Sequence, residues 1–182
     1  MGGNMSADRD TALSEHELRH RYAALRAVGQ GPLAVLQISR NVMQVAVGDG
    51  SAAPTVVTVG IASHRLAHDH FRHQPPREAE LEEAIMVVED AIAPLRPLFA
   101  ADPICYCPDP MLREIAELAG VTGQARLTVS REAVEHLFGR LADAAQRRVL
   151  AGLPASADFA AGLLIVRELM HHMGLVAIST CE

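Results

Sequence analysis

The sequence predicts an α/β fold: a mixed five-stranded sheet that begins with a three-strand meander and carries helices on its faces. Three observations predict it. Leu33 to Ile38 is a nearly continuous apolar run, as in a strand buried on both faces. A β-branched run follows after a short turn and is closed by Gly48-Asp49-Gly50, and Pro54 to Gly60 supplies a third strand through Val56, Val57 and Val59. Downstream, helical periodicities alternate with short apolar stretches.

Taken in order, residues 1–13 are expected to be a disordered lead-in and residues 14–182 a single domain. Ser14 is placed to cap a helix, with Glu17 three residues later as in a capping box. Leu18, Tyr22, Leu25 and Val28 form the stripe of that helix, and Gly29 ends it. After the three strands, Ala62 to Phe71 reads as a helix carrying His64, Arg65 and His68. Pro75-Pro76 breaks it. A long helix then runs from about Arg77 to Leu95, with Leu81, Ile85, Val88 and Ile92 on one face. Asp102 to Tyr106 is a fourth strand, and Pro108-Asp109-Pro110 turns it into a helix with Leu112, Ile115 and Leu118 inside. Thr128 to Val149 reads as one further helix through Val134, Leu137, Phe138 and Leu141. Asp158 to Met173 is the last helix and Leu175 to Ser179 the last strand. Three meandering strands followed by alternating helices and strands is the order of a ribonuclease-H/actin-like (ASKHA) domain.

Composition narrows the function classes. At 182 residues, 49% hydrophobic and 21% charged, the chain can bury a sizeable core and is globular. Only 3% of it is aromatic and its net charge is −6, which argues against a nucleic-acid partner. The stretch from Met1 to Asp10 has no apolar signal core, and the longest apolar run, Phe159 to Val166, is far too short to span a membrane. Cys105, Cys107 and Cys181 have no framework spacing, so a reduced, cytoplasmic setting is expected. Cys105 and Cys107 lack the two-residue gap of redox and zinc motifs; they are expected to point to opposite faces of a strand and to serve packing.

The hairpin is the centre of the functional reading. A strand–turn–strand unit of this kind holds a phosphate with backbone N–H groups in phosphotransfer folds, and that job favours glycine in the turn. Here the turn is Ser39-Arg40-Asn41, and every position carries a side chain. The histidines at 64, 68, 70 and 73 include an i,i+4 pair able to share a metal on one helix face. No pattern of Cys, Asp or Glu completes a ligand set beyond adjacent Asp69, so a solvated polar face is expected and no metal site. His171 and His172 point apart on a helix and are not expected to form a site together.

Several stretches resemble the exopolyphosphatase/guanosine pentaphosphate phosphohydrolase (Ppx/GppA) phosphatases, over about Ser14 to Ser179. Ser14-Glu15-His16-Glu17 with Arg19 and Arg21 is similar to that family's S-G-x-E-E-A-R. The hairpin aligns without gaps on its D-I-G-G-G-S-T-E-L-V-V-G. Pro75-Pro76 resembles its D-P-P, and Cys107 to Arg113 stands where the family has G-T-G-G-T-A-R. Gly152-Leu153-Pro154, Ala157-Asp158 and Gly162 resemble its G-L-P-x-x-R-A-D-x-x-x-x-G, and Ile178-Ser179 the start of its S-D-R-G-L-R-E-G. The resemblance is to the second domain only, and the motifs are degenerate. The family's Asp and Glu are Gln37 and Gln44, its glycines are Ser39, Arg40 and Asn41, its Ser and Thr are Val42 and Met43, and only Arg113 survives of the second loop.

The resemblance therefore implies a non-catalytic relative acting as a binding or regulatory module, expected to pair with itself as a homodimer or with another protein. The alternative is a domain that binds phosphate, polyphosphate or a guanine nucleotide with residual phosphohydrolase activity. In that case Ser39, Arg40, Asn41 and Arg113 would meet the anion, Glu17 would orient the attacking water, and Mg²⁺ would be needed. Otherwise no cofactor is expected. A third alternative is a metallohydrolase built on the histidines of the second helix.

Overall fold

The computed structural model describes residues 13–50, 53–123, 125–150 and 152–181. Apart from Leu13, the lead-in expected over 1–13 lies outside them. The first helix, α1 (Glu15–Val28), starts on the capping box foreseen in the sequence: Ser14 Oγ accepts from the Glu17 N–H, and Glu17 reaches back to the Ser14 N–H. Leu18 and Tyr22 are buried, whereas Val28 is 81% exposed and does not extend the stripe. Gly29 ends the helix in an extended conformation.

The meander is β1 (Leu33–Ile38), β2 (Met43–Gly48) and β3 (Thr55–Val59), paired antiparallel in sequence order. The helices α2 (Ser63–His70) and α3 (Glu78–Ile92) follow. Pro94 cannot continue the ladder of α3, and the chain tightens into a 3-10 helix, Ala93–Leu98, which buries Leu95. Next come β4 (Ile104–Cys107), α4 (Pro110–Leu118), β5 (Thr128–Ser130), α5 (Arg131–Arg147), α6 (Ala157–His172) and β6 (Ala177–Thr180). Leu112 and Ile115 of α4 are buried, and Leu118 is half-buried.

The sheet has six strands, not the five expected, in the order β3-β2-β1-β4-β6-β5. The added strand is β5, which pairs antiparallel with β6 through Val129 and Ile178 and shortens the helix expected from Thr128. Its three residues were expected to begin that helix, whereas the helix starts at Arg131 with Ser130 as its cap, accepting from the Ala133 N–H. Only the presence of β6 alongside makes the same residues a strand. β1, β4 and β6 run parallel, which leaves the C-terminal ends of β1 and β4 side by side.

Both faces of β1 are covered, as its unbroken apolar run requires. Leu33 and Val35 pack with Leu18 and Tyr22 of α1, while Ala34, Leu36 and Ile38 join the main core built with α2, α3, α5 and α6. Cys105 and Cys107 both belong to that main core. They share one face, because residues two apart in a strand point the same way, and the expectation of opposite faces was wrong. Helix α6 is apolar nearly all round and runs through the middle of this layer, from Phe159 to Met170.

Candidate functional site

The turn between β1 and β2 is braced by Ser39. Its N–H and hydroxyl both donate to the Val42 carbonyl, at 3.0 and 2.8 Å, and its Oγ accepts from the Val42 N–H at 3.1 Å. Ser39 is buried, so its hydroxyl holds the turn and does not face a ligand. Arg40 and Asn41 form the exposed tip. The Arg40 carbonyl accepts from the His64 N–H, which ties the turn to the first residues of α2.

Three elements then converge on one charge cluster. Arg40 Nη2 stands 2.9 Å from Asp158 Oδ2 and 3.0 Å from His64 Nδ1. His64 Nδ1 is also 3.2 Å from Asp158 Oδ1. Asp158 lies in the first turn of α6, where the helix dipole favours a carboxylate, behind an N-cap in which Ser156 accepts from the Phe159 N–H. Beside this cluster is an open groove of about 460 Å³ lined by Arg40, Ser63, Met111, Glu114, Asp158 and Phe159. Its formal charges are one arginine against two carboxylates, so the lining does not favour an anion.

Asp109 meets the end of β1. It is the N-cap of α4 with Pro110 at the first helical position, and its Oδ2 accepts from the Ile38 N–H at 2.7 Å. A main-chain donor at the end of β1 is thereby occupied by a carboxylate from the chain itself.

The remaining candidates sit elsewhere. Arg113 donates from Nη2 to the Ala125 carbonyl at 2.7 Å and is not part of the groove lining, so it does not join Arg40. Glu17 Oε2 accepts from both the N–H and the hydroxyl of Ser14 at 2.7 Å. Those two hydrogen bonds, the side-chain one foremost, hold its carboxyl below the ordinary value of 4.5. A carboxylate with a depressed folded pKa stabilises above its unfolded value and loses that contribution as pH falls through the folded value. Glu17→Gln should therefore lower the melting temperature at pH 7, and the gap to wild type should close as pH falls from 4.5 through the lowered folded value. A gap that does not narrow with acid would show that capping by the ionised form is not what Glu17 does.

Gln37 and Gln44 face each other across β1 and β2. Gln44 Nε2 donates to Thr58 Oγ1 at 3.2 Å, while the Oε1 atoms of both glutamines are buried without a partner among the described residues. The histidines after position 64 go to separate carboxylates: His68 to Asp69 at 2.9 Å, His70 to Glu83 at 3.3 Å and His73 to Glu80 at 2.8 Å. The i,i+4 pair of His64 and His68 is thus divided between Asp158 and Asp69. Burial pushes the thiols of Cys105 and Cys107 well up, which suits packing and not nucleophilic chemistry.

Sequence reasoning placed Asp109, Asp158 and Met111 in turn and motif positions and gave them no part in the site. A signal existed for the first two, since an acidic residue directly before a proline-initiated helix or in a first helical turn is a capping position. What those carboxylates reach across the fold was not legible.

No family model matches the chain, and no curated protein is significantly similar to it. Solved structures do match. The Aquifex aeolicus PPX-GPPA enzyme superposes with a TM-score of 0.73 at 15% identity, over 92% of this chain and 60% of its own. An exopolyphosphatase from Cytophaga hutchinsonii gives 0.66 at 17% identity, over 90% and 59%. An exopolyphosphatase-like protein gives 0.65 at 17% identity, over 86% and 56%. The chain spans about three-fifths of the length of these structures. Across that span, the protein has the fold of the Ppx/GppA phosphatases, in agreement with the resemblance read from its motifs.

Proposed function

We propose that this chain is a non-catalytic relative of the Ppx/GppA phosphatases and works as a cytoplasmic binding or regulatory module, as a homodimer or with a protein partner. The observation that carries the reading is the occupancy of the hairpin site by the chain's own carboxylates. Asp109 takes the Ile38 N–H at the end of β1, and Asp158 pairs with Arg40, the turn's candidate anion-binding side chain. An anion would have to displace both, against their charge.

The donor set does not fit a Mg²⁺ ion either. Gln37 and Gln44 offer amides where the resemblance calls for carboxylates, and an amide neither recruits Mg²⁺ as strongly nor activates water. Phosphoryl transfer rests on positioning and charge stabilisation, and losing even one such donor typically slows a reaction about a hundred- to a thousandfold.

The test is phosphate release from polyphosphate and guanosine pentaphosphate with Mg²⁺, for wild type and Glu17→Ala. No turnover is expected from either protein, and melting temperature should not respond to millimolar phosphate or polyphosphate. Turnover in wild type that Glu17→Ala abolishes would instead establish a phosphoanhydride hydrolase. Light scattering at micromolar concentration should give the mass of a dimer; a monomer would leave only the heterologous partner.

A further inference from the structure

A second cluster of charged side chains lies at the far end of α6. Asp158 and His172 are 14 residues apart on that helix, about 21 Å along its axis, so this cluster is separate from the hairpin groove. Glu168 and His172 are an i,i+4 pair and present their side chains on one face. The last turn of α3 packs against them and adds Glu89.

Three ligand atoms, one from each residue, lie within 4.8 Å of one another. His172 Nε2 is 3.1 Å from Glu89 Oε1 and 3.5 Å from Glu168 Oε2. Two ligand atoms each about 2.1 Å from a tetrahedral ion stand about 3.4 Å apart. Both distances from His172 Nε2 therefore match the spacing of a coordination shell.

Its surroundings are organised as well. Glu168 is 1% exposed, and its Oε1 is held by Arg167, which leaves Oε2 toward His172. Arg167 is itself held by Glu135 at 2.9 Å and lies over the Phe138 ring. Outer partners of this kind orient a ligand and fix which oxygen it presents. On the solvent side, His172 lines a groove of about 210 Å³ with Arg96, Phe99 and Met173. The Arg96 guanidinium is committed to the His172 carbonyl at 2.6 Å and so anchors the helix end.

Charge also favours a cation here. With His172 neutral, Glu89, Glu135 and Glu168 carry three negative charges against the two positive charges of Arg167 and, at the groove, Arg96. Burying a carboxylate such as Glu168 needs compensation. A proton on His172 or a bound cation would each offset the remaining negative charge, and only the cation would take a lone pair from all three ligands at once.

We propose that Glu89, Glu168 and His172 form a site for a divalent transition-metal ion of the zinc class, with a fourth position left for water on the groove side. One imidazole and two carboxylates suit such an ion, and three protein ligands with an open position is the arrangement of reactive zinc sites. The site would also clamp α3 to α6.

The experiment uses tag-free protein stripped with a chelator and titrated with zinc chloride by calorimetry, with melting curves in parallel. One equivalent per chain and a raised melting temperature are expected. Glu89→Gln and His172→Gln, both at partly exposed positions, should each weaken zinc binding at least tenfold. His68→Gln should leave it unchanged. Absence of a one-equivalent isotherm in wild type overturns the proposal. So does binding that survives both Glu89→Gln and His172→Gln, or that is lost with His68→Gln instead.

Discussion

Leu164→Ala should lower the unfolding free energy by about 3 kcal/mol, within the range of about 2–5 kcal/mol measured for buried leucines. Leu164 is fully buried in α6, the helix that packs against α2, α3, α4 and α5. Truncation there removes three carbons from water-free surroundings, and the cavity it leaves has neighbours on every side that cannot all move in. For a chain of this size, 1 kcal/mol corresponds to about 2–4 °C, so the melting temperature should drop by about 6–12 °C. Leu164→Met keeps the volume and should cost less than about 1.5 kcal/mol. A drop of only a degree or two for the alanine variant would mean that α6 is not the spine of the domain.

The second large effect is expected at Gly162. A glycine in mid-helix costs about 1 kcal/mol relative to alanine, so its presence in α6 calls for a reason. The reason is Met111 of α4: a Cβ at position 162 would run into the Met111 sulfur. Gly162→Ala should be close to neutral, because the helix gains what the displaced thioether loses. Gly162→Leu has no such balance and should destabilise by about 3 kcal/mol through overpacking. In a Met111→Ala background, the same leucine should cost at least about 1 kcal/mol less, a coupling of the size expected for residues in direct contact. Equal costs in the two backgrounds would show that something other than the α4–α6 contact excludes the side chain.

This contact bears on what the motifs preserve. Gly162 is one of the positions at which the sequence resembles the Ppx/GppA pattern, and it serves close helix packing. Ser14 with Glu17 is another, and it builds the capping box of α1. Gly48, at the end of the hairpin, admits the Tyr22 hydroxyl where a Cβ would stand. In each case the retained residue has a structural reason visible in the fold. The positions that differ from the pattern are Gln37 and Ser39 to Gln44 of the hairpin, and the second loop from Cys107 to Leu112.

Most elements were legible because their signals are local. The stripe and cap of α1, the apolar run of β1 and the proline-initiated start of α4 each depend on residues within about four positions of one another. The sequence by itself therefore determined the three-strand meander, the alternation after it and the six α-helices among the described residues. It could not determine β5, whose three residues become a strand only beside β6. Nor could it determine the two charge clusters. Ile38 meets Asp109 across 71 residues, His64 meets Asp158 across 94, and Glu89 meets His172 across 83. Such pairs carry no periodicity and no spacing rule; they exist because packing α6 between α2 and α3 brings its two ends to carboxylate and imidazole partners contributed by other elements. Tertiary structure alone decided that the hairpin arginine would be neutralised from within, and that Glu89 of α3 would meet His172 of α6.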